Sequence, residues 1–114
     1  MRIKPGVNLD GTHWLLWIAA GVADFIRQGH GWGEATITSG TDFVAGRFGA
    51  EHARGLALDL RTRDMPGGPQ GPQARQWVEL CRRNLPMIEW ILRADHIHLD
   101  LHPGTLRHDS PMQT

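Results

Sequence analysis

The sequence predicts a single α+β domain with a small antiparallel sheet and flanking helices. Two segments carry apolar residues at helical spacing, and four short segments alternate between apolar and polar residues. Their order along the chain is helix, strand, strand, helix, strand, strand. Consecutive strands without an intervening helix favour antiparallel pairing, with the helices packed against the sheet.

The first helix is predicted to begin after the turn at Asp10–Thr12 and to end at Gly29–Gly31. Apolar residues recur along it at helical spacing: Trp14, Leu15, Trp17, Ile18, Val22, Phe25 and Ile26. Trp14 and Trp17 are expected to pack in the core rather than to bind a ligand, because aromatic residues at this spacing usually pack. The second helix is predicted over residues 73–85, and Pro86 is expected to end it.

Four strands are predicted, at residues 34–39, 56–60, 87–92 and 96–101. Alternation of side chains divides the second and fourth strands into a core face and an opposite face. The core face is expected to carry Leu56, Leu58, Leu60, Ile97, Leu99 and Leu101. The opposite face is expected to carry Ala57, Asp59, His96, His98, Asp100 and His102. If these two strands are neighbours, Asp59 and His98 meet on the surface away from the core.

The length of 114 residues predicts one domain over residues 1–114, with a core at about 12–102 and a polar tail at 103–114. The formal net charge is zero, which argues against nucleic acid and anionic membranes as partners. The longest apolar run, residues 14–20, is too short to cross a bilayer. No signal peptide is recognisable, which predicts synthesis in the cytoplasm. We expect the chain to act as a monomer.

The residues that could bind a metal or take part in catalysis lie in two short segments, His52–Asp59 and Asp95–Asp100. Either segment alone fits an ordinary solvated surface. Together they offer imidazoles and carboxylates on strand-like backbone, which are the ligand types of a catalytic zinc site with one position open for water. Four of the seven histidines fall in the last nineteen residues, and such clustering favours metal binding. Gly55 would let the backbone turn between the ligands and pass close to a metal.

These segments resemble the zinc peptidases of the hedgehog/DD-peptidase fold. Residues 52–59 fill every fixed position of the motif His-x-x-Gly-x-Ala-x-Asp, and residues 96–98 supply the later His-x-His. Residues 37–40, Ile-Thr-Ser-Gly, are similar to the strand end before the ligand loop in that family. The resemblance covers about residues 14–102. It groups the chain with D-alanyl-D-alanine carboxypeptidases, L-alanyl-D-glutamate endopeptidases of phage endolysins, and the zinc domain of sonic hedgehog.

The resemblance implies a role for each residue that matches the motifs. His52, Asp59 and His98 would bind Zn²⁺, with water in the fourth place. Asp95 would act as general base toward that water and then as acid toward the leaving amine. His96 would stabilise the oxyanion or assist proton transfer.

The chain departs from the family pattern at two places. Ala50 stands where the family often has Ser or Thr, and Thr41 and Asp42 follow the Ser-Gly strand end where the family often has Arg. Arg47, further along the same loop, could instead hold a substrate carboxylate or the transition-state anion, and a solvated charge is the alternative. These departures bear on substrate specificity more than on zinc binding.

Three further residues are candidates for supporting roles. Asp100 and His102 share the expected metal face and could orient a ligand imidazole. Glu89, on the third predicted strand, is a second candidate for the general base if Asp95 points away.

The function that the resemblance implies is zinc-dependent hydrolysis of peptide bonds in the stem peptides of bacterial peptidoglycan. Such an endolysin-like enzyme, of phage or bacterial origin, would act on the cell wall after release or as part of a virion. Carboxypeptidase and endopeptidase action both remain open. The alternative is a zinc-binding module of the same fold without catalysis, with a structural or binding role. Asp95 favours the enzyme, because the hedgehog pattern lacks a carboxylate three residues before the last ligand.

Overall fold

The computed structural model describes residues 1–41, 52 and 54–101, and within them it confirms the α+β class. The elements follow one another as β1 (Arg2–Ile3), α1 (Trp14–Gly29), β2 (Thr36–Ser39), β3 (Ala57–Arg61), α2 (Pro72–Asn84), β4 (Ile88–Leu92) and β5 (His96–Leu101). Arg47, Ala50, His102 and the predicted tail at 103–114 lie outside the described residues.

The five strands form one sheet in the order β1-β2-β3-β5-β4. Every pair is antiparallel except β1 and β2, which run parallel, so the sheet is mixed rather than purely antiparallel. The additional strand, β1, is only two residues long and was not predicted. Strands β3 and β5 are neighbours at the centre of the sheet, as the meeting of Asp59 and His98 requires.

The pairing of β2 with β3 is irregular next to the site. Ile37 lies opposite Leu60, whereas Ser39 lies opposite Asp59. The pairing thus advances by two residues on β2 but by only one residue on β3. This is the arrangement of a β-bulge, with Thr38 as the extra residue. A bulge bends its strand and redirects side chains, and both Thr38 and Ser39 line the pocket described below.

The faces of β3 and β5 are those that alternation predicts. Leu58, Leu60, Ile97 and Leu99 are fully buried in the hydrophobic core, and Leu56 packs against it while partly exposed. The opposite face carries the polar residues of the two strands. The core face thus fixes the register that sets Asp59 opposite His98.

Helix α1 has the predicted extent but turns a different face to the core. Its buried residues are Leu16, Ala19, Ala20, Ala23 and Arg27. Trp14 is 59 % exposed and Phe25 80 % exposed, and Trp17 and Ile18 are also exposed, so the expectation that both tryptophans are core residues is wrong. The small buried side chains let α1 approach α2 closely enough for Trp77 Nε1 to donate a hydrogen bond to the Ala23 carbonyl at 2.9 Å.

The start of α1 also differs in detail from the expectation. Its N-cap is His13, whose Nδ1 accepts a hydrogen bond from the Leu15 amide at 3.1 Å. Residues 10–12 form the turn before the helix without supplying the cap side chain. Among the described helices, neither is both long and apolar enough to cross a membrane.

Candidate metal centre

The central pair of strands brings Asp59 and His98 into contact. The two residues lie directly opposite each other in the antiparallel ladder of β3 and β5. Both side chains are buried on the face away from the hydrophobic core, and Asp59 Oδ1 lies 3.2 Å from His98 Nδ1. Directly opposite residues in such a ladder hold their side chains on the same face, so this contact follows from the register.

His52 joins this pair from the connection between β2 and β3. Its Nε2 lies 3.3 Å from Asp59 Oδ1, and its ring packs edge-on to that of His98. Its Nδ1 lies 3.0 Å from the carbonyl oxygen of Gly40. A carbonyl only accepts, so Nδ1 carries the hydrogen in that contact.

The buried group of His52, Asp59 and His98 could hold a metal ion. One ligand atom from each residue lies within 4.8 Å of the others. Two imidazole nitrogens and a carboxylate oxygen are donors that bind first-row divalent metals, and three protein ligands leave a position open for water or substrate. All three residues were predicted as metal ligands from the sequence.

Asp100 occupies the far side of the His98 ring. Its Oδ2 lies 2.9 Å from His98 Nε2, and both residues are buried on the same face of β5. Metal-binding histidines commonly donate their second ring N–H to such a carboxylate, which fixes the orientation of the ring. Asp100 is therefore in contact with the ring of His98, and its role in orienting a metal ligand stays a prediction.

The contacts within the group favour the charged forms of Asp59 and His98. Burial alone would raise the pKa of the Asp59 carboxyl, but hydrogen bonds with His52 and His98 outweigh burial and hold that pKa well below its usual range. Burial would lower the pKa of His98, yet its contacts with Asp100 and Asp59 raise it to about 9. Without a metal, His98 is therefore a cation between two carboxylates at neutral pH.

The two candidate catalytic residues of β5 lie at the edge of this group. The side chain of Asp95 is 57 % exposed, and its Oδ1 lies 2.8 Å from His96 Nδ1. His96 Nε2 in turn lies 3.8 Å from Asp59 Oδ1. The hydrogen bond with His96 lowers the pKa of Asp95, so its carboxylate is ionised at neutral pH. His96 thus stands between Asp95 and the buried group.

A pocket of about 280 Å³ lies beside Asp59. Asp95 and His96 line it together with the hydroxyl-bearing Thr38 and Ser39 of β2. It also contains three cationic side chains that were not singled out from the sequence, namely Lys4, Arg61 and Arg63. Alternation along β3 places Arg61 on the face of Asp59, so extending that pattern by two residues would have found it.

Glu89, the second candidate for the general base, lies elsewhere. It is opposite Asp100 in the pairing of β4 with β5, and it lines a separate pocket with Arg82 and Trp90. It does not line the pocket beside Asp59, where Asp95 does. Of the two candidates for the general base, Asp95 is therefore the one that lines the pocket beside Asp59.

Two glycines, one before and one after His52 in the sequence, lie close to the backbone of the N-terminal segment. A Cβ on Gly55 would lie 2.0 Å from the Gly11 carbonyl oxygen, and Gly55 has a φ of +73°. A Cβ on Gly40 would lie 2.3 Å from the Asn8 carbonyl oxygen. The sequence analysis assigned Gly55 to a close approach toward a metal, whereas the structure shows its close approach to the backbone of Gly11.

Comparisons with family models, with curated proteins and with solved structures found no match to this chain.

Proposed function

We propose that this protein is a zinc-dependent peptidase that hydrolyses peptide bonds in the stem peptides of bacterial peptidoglycan. The observation that carries the proposal is the buried group of His52, Asp59 and His98 beside a pocket that Asp95 and His96 line. A metal-binding group, an ionised carboxylate and an imidazole at one pocket are the components that metal-assisted amide hydrolysis requires.

Zinc fits the two donor distances that involve Asp59. Ligands at about 2.0–2.1 Å from zinc in tetrahedral geometry lie about 3.3–3.4 Å from one another. The distances from Asp59 Oδ1 to His52 Nε2 and to His98 Nδ1 are 3.3 Å and 3.2 Å. Two imidazoles with one carboxylate form a ligand set that catalytic zinc sites use. The open fourth position would face the substrate.

Bound zinc would supply a Lewis acid for the substrate carbonyl and lower the pKa of water to about 7. Asp95, ionised and oriented by its hydrogen bond to His96, can accept the proton of the attacking water and deliver it to the leaving amine. His96 lies between Asp95 and Asp59, where its ring can pass a proton or, with hydrogen on both nitrogens, donate to the oxygen on which negative charge develops. Amide hydrolysis needs both activation of the water and protonation of the amine, since water is a poor nucleophile and an amine is a poor leaving group.

The substrate class is supported by the sequence motifs. The motif at residues 52–59 and the His-x-His at residues 96–98 resemble those of the hedgehog/DD-peptidase group, whose peptidases cut stem peptides. The pocket volume of about 280 Å³ is at the small end for ligand sites, which suits a short peptide rather than a folded protein.

The decisive experiment measures zinc content and hydrolysis on the same preparations. Zinc-loaded protein is incubated with purified peptidoglycan and with synthetic stem peptides, and the products are identified by mass spectrometry. Asp95→Ala should keep about one zinc per chain and lose at least about 100-fold in rate. His52→Ala should lose both zinc and hydrolysis. Glu89→Ala and the surface variant Asp10→Ala should retain both.

Two results would contradict the proposal in different ways. A wild-type protein without zinc after reconstitution removes the basis for the enzyme. A protein that binds zinc but releases no product from any stem peptide favours the non-catalytic zinc module. Full activity of Asp95→Ala would leave the enzyme in place and remove Asp95 as its base.

A further inference from the structure

We propose that this protein forms a two-fold symmetric dimer through the outer face of α1. This face, termed the α1 stripe, consists of Trp14, Trp17, Ile18, Gly21 and Phe25. The two helices would lie antiparallel, with the two-fold axis close to Gly21. A dimer would differ from the monomeric state that the sequence analysis expects, and it does not depend on the proposed hydrolysis.

The α1 stripe lies opposite the face that α1 turns to the core. The buried face carries Leu16, Ala19, Ala20 and Ala23. Successive residues of a helix are about 100° apart, so Trp14, Ile18 and Phe25 lie on the other side of the helix axis. A helix that is apolar on all sides is normally buried on all sides. The described part of the chain leaves the α1 stripe exposed, so a second body is expected to cover it.

The exposed apolar surface of the stripe is large enough for a dimer. Four of its side chains are exposed to substantial fractions: Trp14 by 59 %, Trp17 by 39 %, Ile18 by 48 % and Phe25 by 80 %. With about 150–250 Å² for each aromatic side chain, these fractions amount to roughly 500 Å² of apolar surface per copy. Two such faces would bury roughly 1,000 Å², which is the lower limit for a specific interface. Exposed patches of this size commonly mark interaction sites.

The stripe is complementary to a second copy of itself. In packed helices, a side chain of one helix enters a hole between four residues of the other, at positions i, i+3, i+4 and i+7. Such a hole is present in α1 between Trp14, Trp17, Ile18 and Gly21. Its centre lies three and a half residues before Gly21, and Phe25 lies four residues after Gly21. An antiparallel copy with its axis at Gly21 therefore brings Phe25 to within about 1 Å of that centre along the helix, at 1.5 Å per residue.

The same superposition works in both directions. Phe25 of each copy meets the hole of the other, which is the reciprocal contact that a two-fold interface requires. Phe25 is the most exposed of the large apolar side chains, so it is available to enter the hole. At Gly21, where the two helices would cross, nothing lies within 4 Å of a Cβ position. The missing side chain allows the backbones to approach closely at the axis.

The charges around the stripe favour a protein partner over a lipid surface. Interface cores are poor in charged residues and rich in aromatic residues, and the α1 stripe has both properties. Helices that bind anionic lipid carry Lys or Arg along their polar face. The only Lys or Arg of α1 is Arg27, which is buried and lies 3.0 Å from a carboxylate oxygen of Asp64. Asp24, beside the stripe, is bound within the chain by the Met1 amino group.

The dimer would leave both candidate metal centres accessible. Helix α1 packs on the core face of the central strands, whereas Asp59 and His98 lie on the opposite face of the sheet. The two centres would therefore face outward on opposite sides of the dimer. On a polymeric substrate such as the proposed one, two linked sites raise the overall affinity without any new contact in either site.

The first test measures the mass of the full-length protein by sedimentation equilibrium over the micromolar concentration range. We expect the mass to rise from 12.7 kDa toward twice that value, with a dissociation constant in the micromolar range because the interface is small. Phe25→Gln should raise the dissociation constant at least about 30-fold, since an aromatic anchor is lost from both copies. Gly21→Gln should do the same, because a long side chain at the axis holds the helices apart.

Both substitutions are at exposed positions, so the folded monomer should persist, and circular dichroism verifies this. Met87→Gln is the matched control, because it removes an exposed apolar side chain outside the stripe and should leave the dissociation constant unchanged. A wild type that stays monomeric throughout would overturn the proposal, as would binding of that monomer to vesicles of anionic lipid. A dimer that both folded variants leave unchanged would use another surface and would overturn it as well.

The second test determines the orientation of the helices by disulfide cross-linking with an added oxidant. Gly21→Cys should form a cross-linked dimer, because the two positions meet at the axis. Gln28→Cys should not, since its two copies would lie roughly 20 Å apart, whereas a disulfide needs Cα atoms within about 7 Å. The native Cys81 is buried and serves as the background in the wild type. Cross-linking through Gln28→Cys, or none through Gly21→Cys, would overturn the antiparallel dimer.

Discussion

Asp100 Oδ2 and His98 Nε2 lie 2.9 Å apart on the buried polar face of β5. An ionised carboxylate only accepts hydrogen bonds, so Nε2 carries a hydrogen in this contact. The other ring nitrogen, Nδ1, is thereby directed at Asp59, 3.2 Å away. With Asp100 in contact with Nε2, Nδ1 is the nitrogen of His98 that faces Asp59 within the candidate metal-binding group.

Replacing Asp100 by Asn should weaken metal binding without abolishing it. The variant loses the negative charge that orients His98 and increases its basicity, and such changes typically cost 10–100-fold in affinity. Competition with a chelating dye measures the affinity for zinc. Asp10→Asn, which changes an exposed aspartate outside the group, provides the control and should match the wild type. An unchanged affinity in Asp100→Asn would show that the ring of His98 is held by other contacts.

The metal-free protein should lose stability as the pH rises from 6.5 to 8.5. The folded state raises the pKa of His98 from 6.5 to about 9, so the stabilisation is fully present below pH 6.5 and is lost as the pH rises through about 9. Over this interval, the linkage amounts to a loss on the order of 2 kcal/mol in the free energy of unfolding. Urea unfolding at several pH values measures it.

A matched variant separates His98 from the amino terminus, which titrates in the same range. Hydrogen bonding to Glu34 raises the pKa of the Met1 amino group, so the wild-type curve contains both contributions. Asp100→Asn removes one of the contacts that raise the pKa of His98 and leaves Met1 unchanged. Its stability should therefore depend less steeply on pH, and an equal slope would assign the dependence to Met1.

Metal binding should release at least about one proton per chain at pH 7, one from His98 and part of another from water whose pKa zinc lowers to about 7. His98 carries a proton on both ring nitrogens in the metal-free protein, because its pKa is about 9, and a metal ligand must give up one of them. The apparent affinity should then rise at least about tenfold per pH unit between pH 7 and 8. Calorimetry in buffers of different ionisation enthalpy counts the protons. A count near zero would mean that His98 is already neutral before the metal binds.

Replacing Gly55 by Ala should destabilise the fold by about 2 kcal/mol or more and weaken metal binding. The position has a φ of +73°, and a Cβ would lie 2.0 Å from the Gly11 carbonyl oxygen. Relief of that contact would move the connection that carries His52. Gly21→Ala is the control, because Gly21 lies within α1 with nothing within 4 Å of a Cβ. That variant should gain about 0.5–1 kcal/mol. Thermal unfolding and zinc titration compare the two.

Alternation along two strands predicted the face of the sheet on which Asp59 and His98 lie. Leu58 and Leu60 must face the core, and this directs Asp59 to the other side of β3, just as Ile97 and Leu99 direct His98 on β5. The period of two fixes a face without any knowledge of the tertiary structure. The neighbouring positions of β3 and β5 were a separate condition, which the sheet order satisfies.

Other features carried no comparable signal. Helical spacing predicted α1, but apolar residues surround much of this helix. Spacing alone therefore could not determine whether the face of Trp14 or the face of Ala19 packs against the core. The smaller residues are buried because they allow close packing against α2. Strand β1 is too short to show any period, and Lys4, which follows it, therefore could not be assigned to the pocket.

The register between β3 and β5 has a consequence for how a metal would be acquired. Two of the three candidate ligands, Asp59 and His98, extend from paired strands in the middle of the sheet. The carboxylate and the ring are already in contact in the metal-free chain. Little ordering entropy remains to be lost when an ion enters, so its binding energy would appear mainly as affinity. Removal of the ion by a chelator should leave a folded protein with an intact sheet, in contrast to domains that fold only around their metal.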